Sequence, residues 1–102
     1  MPNRNYVRGR SHEYGAMYSL RKDGWMASRS AASHGAVDVF AAKEGRVLLV
    51  QVKSGRARAT KEELDELVRW GKSANGDAEV WYYKGRGKVV KRRVHAAKRG
   101  GA

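Results

Sequence analysis

Ala36–Lys53, with the sequence AVDVFAAKEGRVLLVQVK, carries the clearest fold signal in the chain. Two apolar runs, Ala36–Ala42 and Arg46–Lys53, flank the short turn Lys43-Glu44-Gly45. Two such runs around a tight glycine-containing turn are typical of a β-hairpin. The second run is apolar without alternation through Val47–Val50, which is typical of a central strand that is covered on both faces. The sequence therefore predicts a sheet with other elements packed on both sides.

The elements outside the hairpin follow from apolar periodicity and from capping signals. Thr60-Lys61-Glu62-Glu63 matches the capping box that opens a helix. The predicted elements are a helix over Ser11–Asp23 with Ser11 as its cap, a short strand near Trp25–Ser30, the two hairpin strands, a helix from Thr60 to Ser73, and strands over Ala78–Tyr83 and Lys88–His95. Their order is αβββαββ, which predicts a small α/β fold with a central mixed sheet flanked by helices.

Length and composition restrict the class of protein. The chain has 102 residues, and we expect one domain over 1–102, with 1–7 and 96–102 as flexible ends. The absence of cysteine excludes disulfides, a thiol nucleophile and cysteine-ligated zinc. The sequence has no apolar run of about 18 residues and no apolar core of a secretory signal. We therefore expect an intracellular, cytoplasmic protein, in the host cytoplasm if the gene is viral.

The charge of the chain favours a polyanionic partner. Lysine and arginine number 22 against 10 acidic residues, a net charge of +12. Between Lys84 and Arg99 there are eight basic residues and no acidic one. Nucleic acid is the expected partner, because neutralising phosphates releases condensed counterions. No segment combines a basic face with a broad apolar one, so we expect no membrane partner, and we expect no small-molecule cofactor.

Polar residues interrupt both strands of the predicted hairpin. A two-residue loop, Glu44-Gly45, would place Asp38 opposite Gln51 with Cβ atoms roughly 4.5–5.5 Å apart. A three-residue loop or a bulge would shift this pairing by one residue. Gln51 and Lys53 share one side of their strand because they are two residues apart. A carboxylate, an amide oxygen and an ammonium group would then converge on one patch.

Such a patch suits metal-assisted phosphodiester hydrolysis. Asp38, Gln51 and the backbone carbonyl of Val52 offer the oxygen ligands that Mg²⁺ takes, and we expect Mn²⁺ to substitute for it. Lys53 would orient the attacking water or stabilise the charge that develops on phosphorus. Glu13, at the start of the first helix, would complete the shell. A polar hairpin edge with a simple Asp38–Lys53 ion pair explains the same residues equally well.

Short motifs extend this pattern towards the amino terminus: Arg8-Gly9, Glu13, Leu20–Trp25, Arg29–Ser33, Val37–Val39 and Val50–Lys53. With them, Arg8–Lys53 resembles the archaeal-type Holliday-junction resolvases of the PD-(D/E)xK nuclease superfamily. Those proteins are similar in having a glutamate in the first helix, an Arg-Ser-Ala-x-Ser loop, a Val-Asp strand and a strand that ends in Glu-Val-Lys. The resemblance covers about half of the chain, and the Arg29–Ser33 loop is its most specific part.

The resemblance implies a magnesium-dependent, structure-selective endonuclease that acts as a homodimer and makes two symmetric nicks across a four-way DNA junction. It implies metal-site residues Glu13, Asp38 and Gln51, catalytic Lys53, and Arg29 and Ser30 beside the cleaved strand. Gln51 departs from the glutamate of the resolvases and removes one negative charge from the site. The Mrr-like nucleases of the same superfamily are similar in combining an aspartate with Gln-x-Lys.

Residues around the predicted site are candidates for contacts with the DNA backbone. The basic or small polar candidates are Arg8, Arg10, Arg29, Ser33, His34, Arg56 and Arg58. Three alternatives to a junction resolvase stay open. The first is another PD-(D/E)xK endonuclease, Mrr-like or of a repair type. The second is a non-catalytic basic module that binds DNA junctions, and the third is an RNA-binding protein.

Overall fold

The chain folds as an α/β protein in the predicted order αβββαββ. This is a computed structural model; it describes residues 4–30 and 35–99, with side chains over 11–30 and 35–99. Its elements are α1 (Arg4–Lys22), β1 (Met26–Arg29), β2 (Val39–Lys43), β3 (Arg46–Ser54), α2 (Lys61–Ala74), β4 (Asp77–Gly85) and β5 (Lys88–His95). In the described part of the chain, neither helix has the length and apolar character that crossing a membrane requires.

The five strands form one mixed sheet in the order β1-β2-β3-β4-β5. Neighbouring strands are antiparallel except β3 and β4, which are parallel and are connected through α2. Lys43 pairs with Arg46, so the hairpin loop has two residues, as one of the two predicted registers requires. Both loop residues have positive φ, 50° at Glu44 and 79° at Gly45. This conformation matches the right-handed twist of the flanking strands.

The central strand β3 is buried on both faces, as its unbroken apolar run predicts. Leu48, Val50 and Val52 pack in the cluster that α1 covers. Leu49 packs with Leu67 of α2 in the second cluster, on the other face. Because side chains alternate along a strand, Gln51 falls on the α2 side of the sheet.

Helix α2 begins with the predicted capping box. The Thr60 hydroxyl accepts a hydrogen bond from the Glu63 backbone at 3.1 Å, and the Glu63 carboxylate accepts one from the Thr60 backbone at 2.9 Å. The helix ends where Asn75 takes a left-handed conformation, with φ 46° and ψ 48°. Two backbone donors of the first turn are thereby satisfied, which fixes where the helix starts relative to the end of β3.

The first helix is longer than its apolar periodicity predicts. It begins at Arg4, so the prediction of Ser11 as its cap is wrong, and Arg4–Val7 lies within the expected flexible end. No proline occurs within Arg4–Lys22, so nothing in the sequence interrupts the backbone hydrogen bonds there. The first two turns are mostly polar, so apolar spacing alone does not predict that they are helical.

Strand β2 begins later than predicted, at Val39 rather than Ala36. The backbone N–H of Asp38 still donates to the Val50 carbonyl at 2.8 Å. The Asp38 carboxylate, however, accepts the Val52 N–H at 2.7 Å, a donor that a longer strand would have bound through its backbone. The ladder is therefore completed by a side chain at this point.

The described part of the carboxyl-terminal segment is tethered, although 96–102 was expected to be flexible. The Ala97 backbone donates to the Asp77 carboxylate at 2.9 Å, and Arg99 donates to the same carboxylate at 2.9 Å. The side chain of Asn75 also bonds both backbone groups of Lys98.

Candidate active site

The Asp38 carboxylate lies at the point where β2 separates from β3. Its Oδ2 accepts the Val52 backbone N–H at 2.7 Å. The N–H and C=O of a strand residue point to the same edge, so the Val52 carbonyl also faces this edge. The β2–β3 register, extended by one residue, places Asp38 opposite Gln51. The structure thus brings together Asp38, Val52 and the strand position of Gln51.

The Gln51 side chain is buried, and only one end of its amide is satisfied. The residue is 2% exposed. Its Nε2 donates to Glu63 Oε2 at 3.1 Å. Its Oε1 is buried and accepts no hydrogen bond from any residue that the structure describes. An unpaired buried acceptor costs about 1–3 kcal/mol, so an oxygen in this state has unused capacity for a ligand.

Lys53 lies two residues along β3 and pairs with the same carboxylate. Its Nζ is 2.9 Å from Glu63 Oε2 and 3.1 Å from Oε1, and its side chain is 19% exposed. Among the described residues, the ion pair of Lys53 is therefore with Glu63 and not with Asp38. The simple Asp38–Lys53 ion pair is not formed among the described residues.

Sequence reasoning assigned Glu63 only to the capping box and missed its place in the site. Burial acts to raise the pKa of Glu63, but hydrogen bonds from the Thr60 backbone and from Lys53 outweigh it, and the pKa is lowered. The carboxylate is therefore ionised at neutral pH. A signal was present in the sequence: the capping box puts Glu63 on the first turn after β3, where it reaches the carboxyl end of that strand.

Among the described residues, Glu13 forms its ion pair outside this cluster. Its carboxylate forms a 2.8 Å ion pair with Arg29, whose guanidinium also stacks 4.5 Å from the centre of the Tyr14 ring. Helix α1 covers the face of the sheet opposite to Gln51. Within residues 4–30 and 35–99, no three or more histidine, aspartate or glutamate side chains group closely enough to hold a metal.

The other predicted site residues fall into three groups. Ser30 lies next to Asp38, because its N–H donates to the Asp38 carbonyl at 2.9 Å. Arg56 and Arg58 are exposed in the loop between β3 and α2. Arg8 and Arg10 belong to α1, but their side chains lie outside the described part, as do Ser33 and His34 altogether.

A histidine from α1 reaches the same end of the sheet. His12 Nδ1 lies 2.6 Å from Ser54 Oγ, and the His12 ring stacks on Tyr83 with centroids 4.5 Å apart. Ser54 directly follows Lys53 at the end of β3. The contact fixes the first half of α1 over the carboxyl ends of β3 and β4.

The donor atoms at this edge fit a hard divalent cation. Asp38 offers a carboxylate, Val52 a carbonyl and Gln51 a buried amide oxygen without a partner in the described structure. Mg²⁺ prefers oxygen ligands of these kinds and keeps several waters, so it does not need a complete cage of protein atoms.

A mixed sheet between two helices, with an aspartate before one strand and Gln-x-Lys at the end of the next, is the arrangement that the resemblance to PD-(D/E)xK nucleases implies. The family model "Archaeal holliday junction resolvase (hjc)" matches residues 4–99. The chain therefore belongs to the archaeal Holliday junction resolvase family, which implies a nuclease.

Comparison with solved structures agrees on the fold. The chain is similar to Hjc, a Holliday junction resolvase from the archaeal hyperthermophile Archaeoglobus fulgidus, with a TM-score of 0.75 and 22% identity. The similarity covers 85% of this chain and 73% of that chain. Comparison with curated proteins gives no match.

Proposed function

We propose that this protein is a magnesium-dependent endonuclease that resolves four-way DNA junctions by paired phosphodiester hydrolysis. Family membership supports junction resolution. The observation that carries the metal dependence is the Gln51 amide oxygen, which is buried and accepts no hydrogen bond from the described residues. We expect Mn²⁺ to substitute for Mg²⁺.

Each residue of the site has a distinct part in this proposal. Asp38, Gln51 and the Val52 carbonyl would hold the cation. A bound Mg²⁺ would polarise the phosphoryl oxygen and lower the pKa of a water ligand. The Lys53 ammonium, held by Glu63, would stabilise the negative charge that develops on the phosphate.

The substrate is a polyanion, and the distribution of charge supports this. Arg56 and Arg58 are exposed directly after Lys53, where they would bind phosphates that flank the cleaved bond. The edge strand β5 adds Lys91 and Arg92, both exposed. Affinity is therefore expected to depend on the basic surface and to fall steeply with salt.

Symmetric cutting needs two sites, and one chain supplies one. We propose a homodimer, in which a two-fold axis relates the two active sites to the two cleaved strands. Phe40 and Trp70 are 36% and 43% exposed and contact each other edge to face at 5.6 Å. We expect a second copy to cover this apolar pair. Sedimentation of the wild type and of Trp70→Lys, expected to be a dimer and a monomer respectively, tests the assignment.

The decisive assay uses a 5′-labelled four-way junction and a matched linear duplex, each with Mg²⁺, Mn²⁺ or EDTA. We expect paired nicks in the junction, only when metal is present, and little cleavage of the duplex. Equal cleavage of the duplex would identify an Mrr-like or repair-type endonuclease. Preferential binding of structured RNA at equal salt would identify an RNA-binding protein.

A non-catalytic junction-binding module is the second candidate. One observation favours it: Glu13 pairs with Arg29, and the described residues contain no cluster of three carboxylate or imidazole ligands. Tight, metal-independent binding of the junction without cleavage in Mg²⁺ or Mn²⁺ would establish this second function.

A further inference from the structure

We propose that Glu63 is a positioning residue of the active site, which determines the end of the Gln51 amide that faces the cation. The inference rests on the proposed metal-dependent function. It assigns to an α2 side chain a part in a site otherwise built from the β2–β3 hairpin.

The two ends of an amide differ in their hydrogen-bonding capacity. The oxygen of glutamine only accepts hydrogen bonds, whereas its NH₂ group only donates them. Both oxygens of Glu63 accept hydrogen bonds from Lys53, and the 3.1 Å contact with Oε2 is donated by Gln51 Nε2. The Gln51 oxygen is then directed away from Glu63. That oxygen is the buried atom without a hydrogen-bond partner in the described part of the chain.

Glu63 is itself held in place, as a positioning residue must be. Its Oε1 accepts the Thr60 N–H at 2.9 Å, which ties the carboxylate to the start of α2. Its Oε2 lies 2.9 Å from Lys53 Nζ. Both oxygens of Glu63 therefore already accept hydrogen bonds from N–H donors.

A glutamine at position 51 needs such a partner, whereas a glutamate does not. Either oxygen of a carboxylate can face a cation, so its rotation about the last bond is harmless. Rotation of the Gln51 amide would instead turn its NH₂ group towards the metal. The Glu63 contact opposes that rotation and also holds Lys53 beside the site.

The test measures Mn²⁺ affinity by electron paramagnetic resonance on the full chain, without DNA. Glu63→Gln keeps the capping box, because glutamine can replace glutamate in it, but it no longer restricts the Gln51 amide to one orientation. We expect its Mn²⁺ affinity to fall on the order of 10- to 100-fold, as for other residues that orient a metal ligand. Glu62→Gln removes the same charge from an exposed neighbour in the same turn and is expected to bind Mn²⁺ like the wild type.

The double variant Gln51→Glu/Glu63→Gln separates orientation from helix stability. A glutamate at 51 needs no orienting partner, so we expect Glu63→Gln to lower Mn²⁺ affinity much less in the Gln51→Glu background than it does with Gln51 present. An equal loss in both backgrounds, with thermal unfolding unchanged, would overturn the inference. Unchanged Mn²⁺ affinity in Glu63→Gln, with normal binding by the wild type, would also overturn the inference. That result would leave the proposed function intact. A wild type that neither binds Mn²⁺ nor cleaves would overturn the proposed function and the inference with it.

A second measurement reads the amide directly. Gln51 is the only glutamine in the sequence, so labelling glutamine with ¹⁵N gives one side-chain NH₂ signal. We expect its protons to exchange slowly with water in the wild type, because one of them is donated to Glu63. Exchange at the rate of a free amide would show that Glu63 does not hold the amide and would overturn the inference.

Discussion

Two buried polar groups, one at the start of β4 and one towards the end of β3, differ in how far their hydrogen-bonding capacity is satisfied. Asp77, at the start of β4, is 2% exposed, and its carboxylate accepts a hydrogen bond from the Ala97 N–H. The same carboxylate lies within 4 Å of three arginines. The distances are 2.9 Å to Arg99 and 3.8 Å to Arg46 and to Arg93. Gln51, near the end of β3, is also 2% exposed, yet its oxygen accepts no hydrogen bond from the described residues.

This difference in hydrogen bonding indicates that Asp77 and Gln51 have different roles. A saturated carboxylate that ties the carboxyl-terminal segment to the sheet contributes to stability. An oxygen left unsatisfied among hydrogen-bonded neighbours is a cost that a ligand can relieve. Substitutions of Asp77 should therefore affect stability, and substitutions around Gln51 should affect cleavage.

The largest expected effect is on cleavage, at the Gln51 end. Asp38→Asn and Lys53→Ala should each abolish junction cleavage, or reduce it at least about 100-fold, because each removes charge that the reaction requires. Junction affinity should be largely retained, since it comes from the basic surface. Single-turnover cleavage and gel-shift assays measure the two quantities separately. Retained cleavage in either variant would mean that the active site lies elsewhere.

The corresponding change at the other end should affect stability. Asp77→Ala removes the acceptor of the Ala97 N–H and of Arg99, and should lower the free energy of unfolding by about 1–3 kcal/mol. Chemical denaturation measures this loss. Cleavage below the unfolding transition should be unchanged, because Asp77 lies away from Asp38 and Lys53. If Asp77→Ala is as stable as the wild type, or is folded but inactive, Asp77 and Gln51 do not differ in role as proposed.

The pH dependence of stability gives a second test of the role of Asp77. Burial acts to raise the pKa of Asp77, but the Ala97 N–H and the neighbouring arginines outweigh it, so the pKa lies below its ordinary value of 3.8. A lowered pKa in the folded state gives stability that is complete above the unfolded value and is lost as the pH falls through the folded one. Asp77→Asn should therefore lose less stability than the wild type between pH 5 and pH 2, as denaturation midpoints would show. Equal losses would indicate that other carboxylates dominate acid unfolding.

The sequence predicted the fold wherever local chemistry decides it. The apolar run of β3, the tight turn at Lys43-Glu44-Gly45 and the Thr60 capping box all depend on neighbouring residues, and all are confirmed. The start of α1 was not predictable from apolar spacing, because its first two turns are polar. The beginning of β2 was missed because the Asp38 side chain takes over one hydrogen bond of the ladder.

The site was predictable only in part, for a related physical reason. Asp38, Gln51 and Lys53 belong to one hairpin, so the strand register alone relates them. The contacts of Glu63 with Gln51 and Lys53 depend on how α2 crosses the sheet, which no local pattern specifies. The sequence could not predict the ion pair of Glu13 with Arg29, because it depends on the packing of α1 against β1.

The smallest expected effect comes from restoring the family's residue at position 51. Gln51→Glu adds a carboxylate oxygen to the proposed site and should preserve or raise cleavage in Mg²⁺. The new carboxylate lies beside that of Glu63, and the cost of placing like charges together should disappear when a cation binds between Asp38 and position 51. Thermal unfolding with and without Mg²⁺ measures this: metal should stabilise the variant more than the wild type. Complete loss of cleavage would show that Gln51 does not ligate metal, and the unsatisfied oxygen would then have no bearing on function.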